Sequence, residues 1–319
     1  LRHARADKRG ESASVRQATP PRPAMARQPR RRPRATAGER DVYLGTLVAA
    51  AEMIECGVTT FADHYFHMHQ AAQAVADSGL RANLGSAFFS SQGDEGLHQS
   101  VAFAERWNGA ANGRITTCIA PHAPYTVTDE HLAAAADAAR RLGLKVHLHA
   151  AEEIGQTRSS VASRGATPIE VLELTGVLDA GAIIAHGNGI LPDDVAILAR
   201  YRDRVGVTHG PKGYLKFAFG PLTPIAALRA AGVPVGYCTD GAASNNTLDI
   251  LETMRIAAIT QKQIADDATY FTSGMALQLA GPDSAAVLGM RGQIGELRVG
   301  ARADGILIDT SGFHCQPLH

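Results

Sequence analysis

The sequence predicts an α/β protein built as a (β/α)8 barrel of the TIM type, one strand short of eight in the count. Three observations carry this. Short β-branched or apolar runs alternate with helical runs from residue 41 onward, the signature of a repeated βα unit and a parallel sheet. Seven such strands can be counted. Six of the seven end in His or Asp, and in a barrel the strand C-termini converge on one face, where the chemistry is built. An open doubly wound sheet would not gather so many strand ends at one point, and no GxGxxG follows an early strand.

The elements justify themselves in order. Residues 42–55 are mostly apolar and helical, stopped by Gly57 just past the helix end. A β-branched strand over 58–62 runs into Asp63-His64, a helix over 70–78 is closed by Gly79, and residues 81–88 form the next strand. After a helix over 97–107 comes a strand over 115–120, ending in Pro121-His122. The best-marked helix follows. Thr128 is its N-cap, Asp129 and Glu130 fill its first turn, Arg140 and Arg141 its last, and Gly143 ends it. The strand over 145–149 comes next, then a helix over 167–174, a strand over 182–185 ending in His186, and a helix over 192–202 that starts on Pro192. A strand over 205–208 ends in His209; a helix over 222–231 and a strand over 233–238, ending in Thr239-Asp240, complete the count.

Three regions follow: a basic Arg/Pro-rich segment over 1–40, a barrel over 41–290 and a tail over 291–319. The net charge of zero hides an asymmetry. Residues 1–40 hold 12 of the 31 Lys and Arg but only 3 of the 31 Asp and Glu, so the remainder carries 19 basic against 28 acidic residues. The basic segment shows neither helical nor strand periodicity and reads as disordered or non-authentic. A nucleic-acid-binding arm is the outside reading, weakened by the lack of aromatic side chains to stack on bases. Cys56, Cys118, Cys238 and Cys315 form no CxxC, which argues against a disulfide framework or a zinc knuckle. No apolar run approaches the roughly 18 residues of a membrane span, and the N-terminus lacks the apolar core of a signal peptide. The expectation is a soluble cytoplasmic protein.

The stretch 145–153 organises the chemistry. His149 stands at a strand's end with Glu152 three residues on, the pairing of a metal ligand with a proton carrier. Taken alone, such a pair is more often structural. It gains weight because Asp63-His64, His122, His186, His209 and Asp240 stand at other strand ends. The zinc site of cytidine deaminases, H-x-E with PCxxC, is absent.

Collected, these residues resemble the amidohydrolase superfamily, and within it the branch holding S-adenosylhomocysteine/methylthioadenosine deaminases and triazine chlorohydrolases. The segments most similar to that branch are Ala120-Pro121-His122-Ala123-Pro124-Tyr125-Thr126 and Thr239-Asp240-Gly241-Ala242-Ala243-Ser244-Asn245-Asn246. The pattern His209-x-Pro211-x-x-x-Leu215-Lys216 is a looser match, and the tail from Gly292 to Asp304 resembles the family's return from barrel to sandwich.

The resemblance implies a deaminase of an amino-substituted N-heterocycle with one divalent metal ion, zinc first and iron second. His149 and Asp240 would be ligands, and the metal would make hydroxide available for attack. Asp240 would take the water's proton, Glu152 would protonate the ring nitrogen, and His186 would orient the water. His122, His209, Ser244 and Asn245 would touch substrate. An adenosine derivative such as S-adenosylhomocysteine or methylthioadenosine comes first; a guanine-type or pterin deaminase or a chlorohydrolase is the alternative. Glu152 favours deamination over dechlorination, while Gly213-Tyr214 replace the Ser-Asn usual before Leu-Lys. Family habit implies a homo-oligomer.

The family's first-strand His-x-His is not found. Its place is held by residues 1–40, with His3 alone; His67-x-His69 has the right form but follows the second family strand, and reads as loop. The resemblance further implies a normal first barrel strand, which this sequence lacks, and a small C-terminal β-sandwich, of which residues 291–319 would be the start. The expectation is a fragment truncated at both ends, with two of about four ligands missing; an inactive fragment, its reading frame shifted near the start, is the alternative to a working deaminase.

Overall fold

The computed structural model describes residues 38–312 and residue 315. Most of the basic segment, with His3, lies outside the described residues. Seven strands make one sheet: β1 (Thr60–Tyr65), β2 (Arg81–Phe88), β3 (Ile115–Pro121), β4 (Lys145–Ala150), β5 (Ala182–His186), β6 (Gly206–His209) and β7 (Val235–Tyr237). They lie in sequence order and every neighbouring pair is parallel, as the alternation of strands and helices requires. The sheet is curled. The His64 ring on β1 touches the rings of His147 and His149 on β4, three strands away, which a flat sheet would forbid. This is the expected α/β architecture as a curled, open sheet of seven strands: among the described residues β7 does not pair with β1.

The outer layer is helical: α1 (Glu39–Glu55), α2 (Met68–Ser78), α3 (Asp94–Trp107), α4 (Asp129–Leu142), α5 (Ile154–Arg164), α6 (Pro168–Leu174), α7 (Pro192–Arg200), α8 (Pro211–Phe217), α9 (Ile225–Ala230) and α10 (Ile250–Ala265), with short helical turns between some of them. Helix α4 shows how sequence sets this layer. Thr128 accepts the His131 N–H at its start and Gly143, at φ 67°, ends it. It buries Leu132, Ala135, Ala136 and Ala139, a stripe at helical spacing whose small side chains bring it close to the sheet. A capping box fixes α6: Thr167 accepts the Glu170 N–H while Glu170 accepts the Thr167 N–H at 2.6 Å. The Thr167 hydroxyl also donates to the buried Asp194 carboxylate, which in turn receives the Leu191 N–H ahead of α7. Both helices are thereby tied at the same end.

Several boundaries differ from the sequence expectation. Helix α1 starts three residues early because Asp41 accepts the Gly38 N–H and closes the first turn. Strand β1 lies about two residues later than its β-branched run suggests, since pairing begins at Thr60 opposite Arg81. Asp63 and His64 therefore belong to the strand and do not follow it. Helices α5, α8 and α10 were not anticipated. The tail expected to open a β-sandwich carries one isolated bridge, Arg291 with Ile294, and no strand over 295–312 among the described residues. It is fastened by Arg81, whose buried guanidinium pairs with Asp304 at 2.9 Å, and by Ile306 against Gly57. No helix among the described residues is long and apolar enough to cross a membrane.

Candidate active site

Because alternate strand residues share a face, His147 and His149 both point to the concave side of β4, while Val146 and Leu148 fill the apolar layer under the helices. Imidazoles from neighbouring strands close around them. His149 stacks on His186 of β5 at 5.1 Å between ring centroids, lies 5.0 Å from His122 after β3, and meets His64 of β1 at 4.5 Å. His64 stands equally close to His147. His209 of β6 reaches this wall through Tyr214, whose ring lies 5.7 Å from both His186 and His209.

Hydrogen bonds settle which nitrogens carry protons. The backbone oxygen of His122 accepts from Nδ1 of His149 at 3.0 Å, which places the lone pair on Nε2, the tautomer a metal or a water would use. Thr126 spends its hydroxyl proton on the Ala123 oxygen and so accepts from His122 Nδ1. Thr223 does the same on the far side: its hydroxyl donates to the His186 oxygen and accepts from His209 Nδ1 at 3.0 Å. Asn188 then links this post to the acid. It receives the Thr223 N–H on Oδ1 and donates from Nδ2 to the Glu152 backbone oxygen. The Glu152 N–H is held by Gln156 Oε1.

The electrostatics follow from burial. His209 and His147 are each pushed down to about 3 by burial, and His147 further by His149 and His186. His186 is lowered by burial and by His149, with Asp240 opposing. His64 is lowered well below its ordinary value by burial and then by its imidazole neighbours. Asp63 moves the other way, up to about 6, through burial and the Asp240 charge. The Tyr125 hydroxyl is raised to about 12 by desolvation, then by the charge and hydrogen bonding of the Glu152 carboxylate. Ring nitrogens of His64 (both), His147 (Nδ1), His186 (Nδ1) and His209 (Nε2) are shielded from solvent and have no hydrogen-bond partner among the described residues. Such groups are rare in a native interior and call for an explanation.

The structure thus brings together His122, His149, Glu152, His186 and His209, and adds His64, His147, Tyr125, Asn188 and Thr223. His147 was legible in the alternation of β4; nothing in the sequence marks Asn188 or Thr223. Phe89 stacks on His122 at 4.5 Å and on Phe66 at 6.0 Å, forming an aromatic rim. Asp240, whose charge acts on His186 and Asp63, is exposed and left-handed at φ 59°, with Oδ1 accepting the Gly241 N–H. Ser244 and Asn245 lie buried in the turn that follows. Lys216 holds that turn by donating to the Ser244 oxygen and to Asn246, which accounts for the Leu-Lys motif.

His67 and His69 do not join the site. They are not loop residues either: His67 caps α2, and His69, in its first turn, accepts from Trp107 Nε1 at 2.8 Å against α3. Among the described residues, no three His, Cys, Asp or Glu side chains already stand at metal-ligand geometry. The donor types are nonetheless those a borderline divalent ion takes, imidazoles and a carboxylate.

Comparison with known proteins agrees with this arrangement. Residues 26–318 match the profile of the amidohydrolase family. The 5-methylthioadenosine/S-adenosylhomocysteine deaminase of Desulforudis audaxviator is 41% identical over 281 residues, covering 88% of this chain and 65% of its own. That of Moorella thermoacetica is 41% identical over 279 residues, covering 87% and 64%. Among solved structures, a zinc-bound adenosine deaminase from Xanthomonas campestris superposes with a TM-score of 0.84 at 34% identity, over 89% of this chain and 65% of that one. The chain therefore spans about two thirds of the length of these relatives.

Proposed function

We propose hydrolytic deamination of an amino-substituted N-heterocycle for this chain, which belongs to the amidohydrolase family. An adenosine derivative is the substrate class, with 5-methylthioadenosine and S-adenosylhomocysteine first, in line with the named relatives. The observation that carries the reading is His149, with its proton fixed on Nδ1, flanked by His122 and His186 and followed by Glu152 on a hydrogen-bonded loop.

His149 and Asp240 would hold a divalent ion, zinc before iron. Such an ion would supply Lewis acidity and lower the pKa of a water toward neutrality. The chain's own residues handle substrate and protons. The ring stacks along the Phe89–His122 rim, as heteroaromatics do on aromatic faces. Glu152 delivers a proton to the ring nitrogen while water adds to the amine-bearing carbon; Asp240 takes the water's proton. Asp240 then passes that proton to the amine, the C–N bond breaks and ammonia leaves, while the hydroxyl proton returns to Glu152 and the carbon keeps the oxygen as a carbonyl. His186 orients the water, and Tyr125 holds the Glu152 carboxylate toward the cleft.

Ammonia release from adenosine, 5-methylthioadenosine and S-adenosylhomocysteine, compared between the wild type and Glu152→Gln, tests this. Removing a positioned proton donor should lower turnover by about 10²–10⁴-fold with the melting curve unchanged. A wild-type chain that releases no ammonia from any of them, with zinc or iron supplied, refutes it.

A further inference from the structure

The loop that carries Glu152 hangs from the segment that follows β5. Pairing between β4 and β5 ends at Ala150 opposite His186, yet three successive backbone oxygens from there on find donors on the β5 side. The Gly187 N–H reaches the Ala150 oxygen, the Gly189 N–H reaches the Ala151 oxygen at 2.8 Å, and Asn188 Nδ2 reaches the Glu152 oxygen at 3.0 Å. The third donor is a side chain, and it meets the proton carrier itself. Ala151, just before Glu152, is left-handed at φ 48°, and His186 at φ 83°. Such values cost a non-glycine residue free energy and persist only where the surroundings over-determine them. Here the surroundings are close and dry. Asn188 is 2% exposed, and its Oδ1 accepts the Thr223 N–H at 2.9 Å. A Cβ on Gly189 would lie 2.6 Å from the Glu153 oxygen, and the buried Thr157 hydroxyl donates to the Gly189 oxygen at 2.8 Å. An amide at 188 donates toward Glu152 and accepts from Thr223 without burying a charge.

We propose that Asn188 is the positioning residue of the Glu152 carboxyl. It ties the Glu152 backbone to Thr223, the same residue that holds the His186 oxygen and His209 Nδ1. The proton donor and the imidazole that orients the water thereby keep one spacing. Without the amide, Ala151 is free to leave its left-handed conformation, and the Glu152 side chain turns with it. A displacement of about 1 Å at a reacting group costs about 100-fold in rate. Buried as it is, Asn188 acts through Glu152. The role rests on the deaminase reading above, in which Glu152 delivers the proton.

The test measures ammonia release from 5-methylthioadenosine by the full chain, as wild type, Asn188→Leu, Asn188→Ala, Glu152→Gln and the two double variants. Each Asn188 variant should lose about 10–100-fold in kcat with KM held within about threefold. In the Glu152→Gln background the same substitutions should cost less than about threefold, because residues that act as a unit are not additive. Asp304→Ala, which loosens the sheet at Arg81, the start of β2, controls for stability alone; below its melting transition it should keep kcat within about threefold. Amide hydrogen exchange gives a readout apart from turnover: in Asn188→Ala residues 151–157 should lose protection by more than about tenfold while β5 keeps its own. Wild-type kcat in the Asn188 variants, a full additive loss in the double variants, or unchanged exchange over 151–157 overturns the proposal and leaves the deaminase reading standing. A wild type that releases no ammonia overturns both.

Discussion

Replacing Thr223 by Val removes one hydroxyl and should unsettle both sides of the site. Thr223 is 1% exposed. Its hydroxyl accepts from His209 Nδ1 at 3.0 Å and donates to the His186 backbone oxygen at 2.9 Å. Valine fills nearly the same volume, so packing survives while a buried donor and a buried acceptor lose their partner. Each orphaned group costs about 1–3 kcal/mol, and with partial relaxation the net is about 2–4 kcal/mol. Unfolding entropy of about 2.1 cal/mol/K per residue gives about 0.6 kcal/mol/K for a body of this size, hence a fall of about 3–7 °C in Tm. Thr223→Ser keeps the hydroxyl and should lose only the methyl's contribution, about 1 kcal/mol. Calorimetry on the three proteins, with ammonia release measured below the transition, separates the effects. His186 holds a left-handed φ of 83° that this bond helps to fix, so turnover should fall further for Val than for Ser. Equal melting temperatures for Val and wild type would refute the assignment of the hydroxyl as the post between β5 and β6.

Three further outcomes follow from the same structure. His209 is lowered from 6.5 to about 3 by burial; between those values the unfolded chain binds the extra proton. Its contribution to stability is therefore complete above pH 6.5 and lost as pH falls toward 3, at about 1.4 kcal/mol per pH unit. Urea unfolding at pH 7.5 and 5.0 should show His209→Gln losing about 2 kcal/mol less than the wild type. Asp304→Ala leaves the Arg81 guanidinium, 6% exposed, with only the Gly113 oxygen; a loss of about 3 kcal/mol is expected, the low end for breaking a buried pair, and Arg81→Met should cost less. Gly85→Ala would put a Cβ 2.6 Å from Ala120 Cβ, and overpacking of this kind should cost about 1–3 kcal/mol in the same assay.

Much of the fold was legible because a parallel sheet announces itself. Strands buried on both faces read as short apolar runs, and the helices between them carry caps such as Thr128 and Gly143. What escaped was set by partners distant in sequence. Strand β1 begins where Arg81 meets it and not where its β-branched residues begin. Helix α10 did offer a local signal, Asp249 accepting the Glu252 N–H, whereas α5 starts at Glu153 with no side-chain cap and escaped notice. The site divides in the same way. His122, His149, His186 and His209 could be found because each closes a strand, and strand ends converge.

The two-residue displacement of β1 has the largest consequence for the chemistry. Read as a residue beyond the strand, His64 belongs to a loop, and the gap left by a missing His-x-His pair falls to His67 and His69. Held inside the strand, His64 takes the orientation its register dictates, sharing a face with Gly85. Glycine is required there by β3: a Cβ would lie 2.6 Å from Ala120 Cβ and 2.7 Å from Cys118 Sγ. His67 and His69, three and five residues further on, are carried by α2 to the opposite surface, where Trp107 occupies His69. A change that shifted β1 by one residue would turn His64 away from His149 altogether.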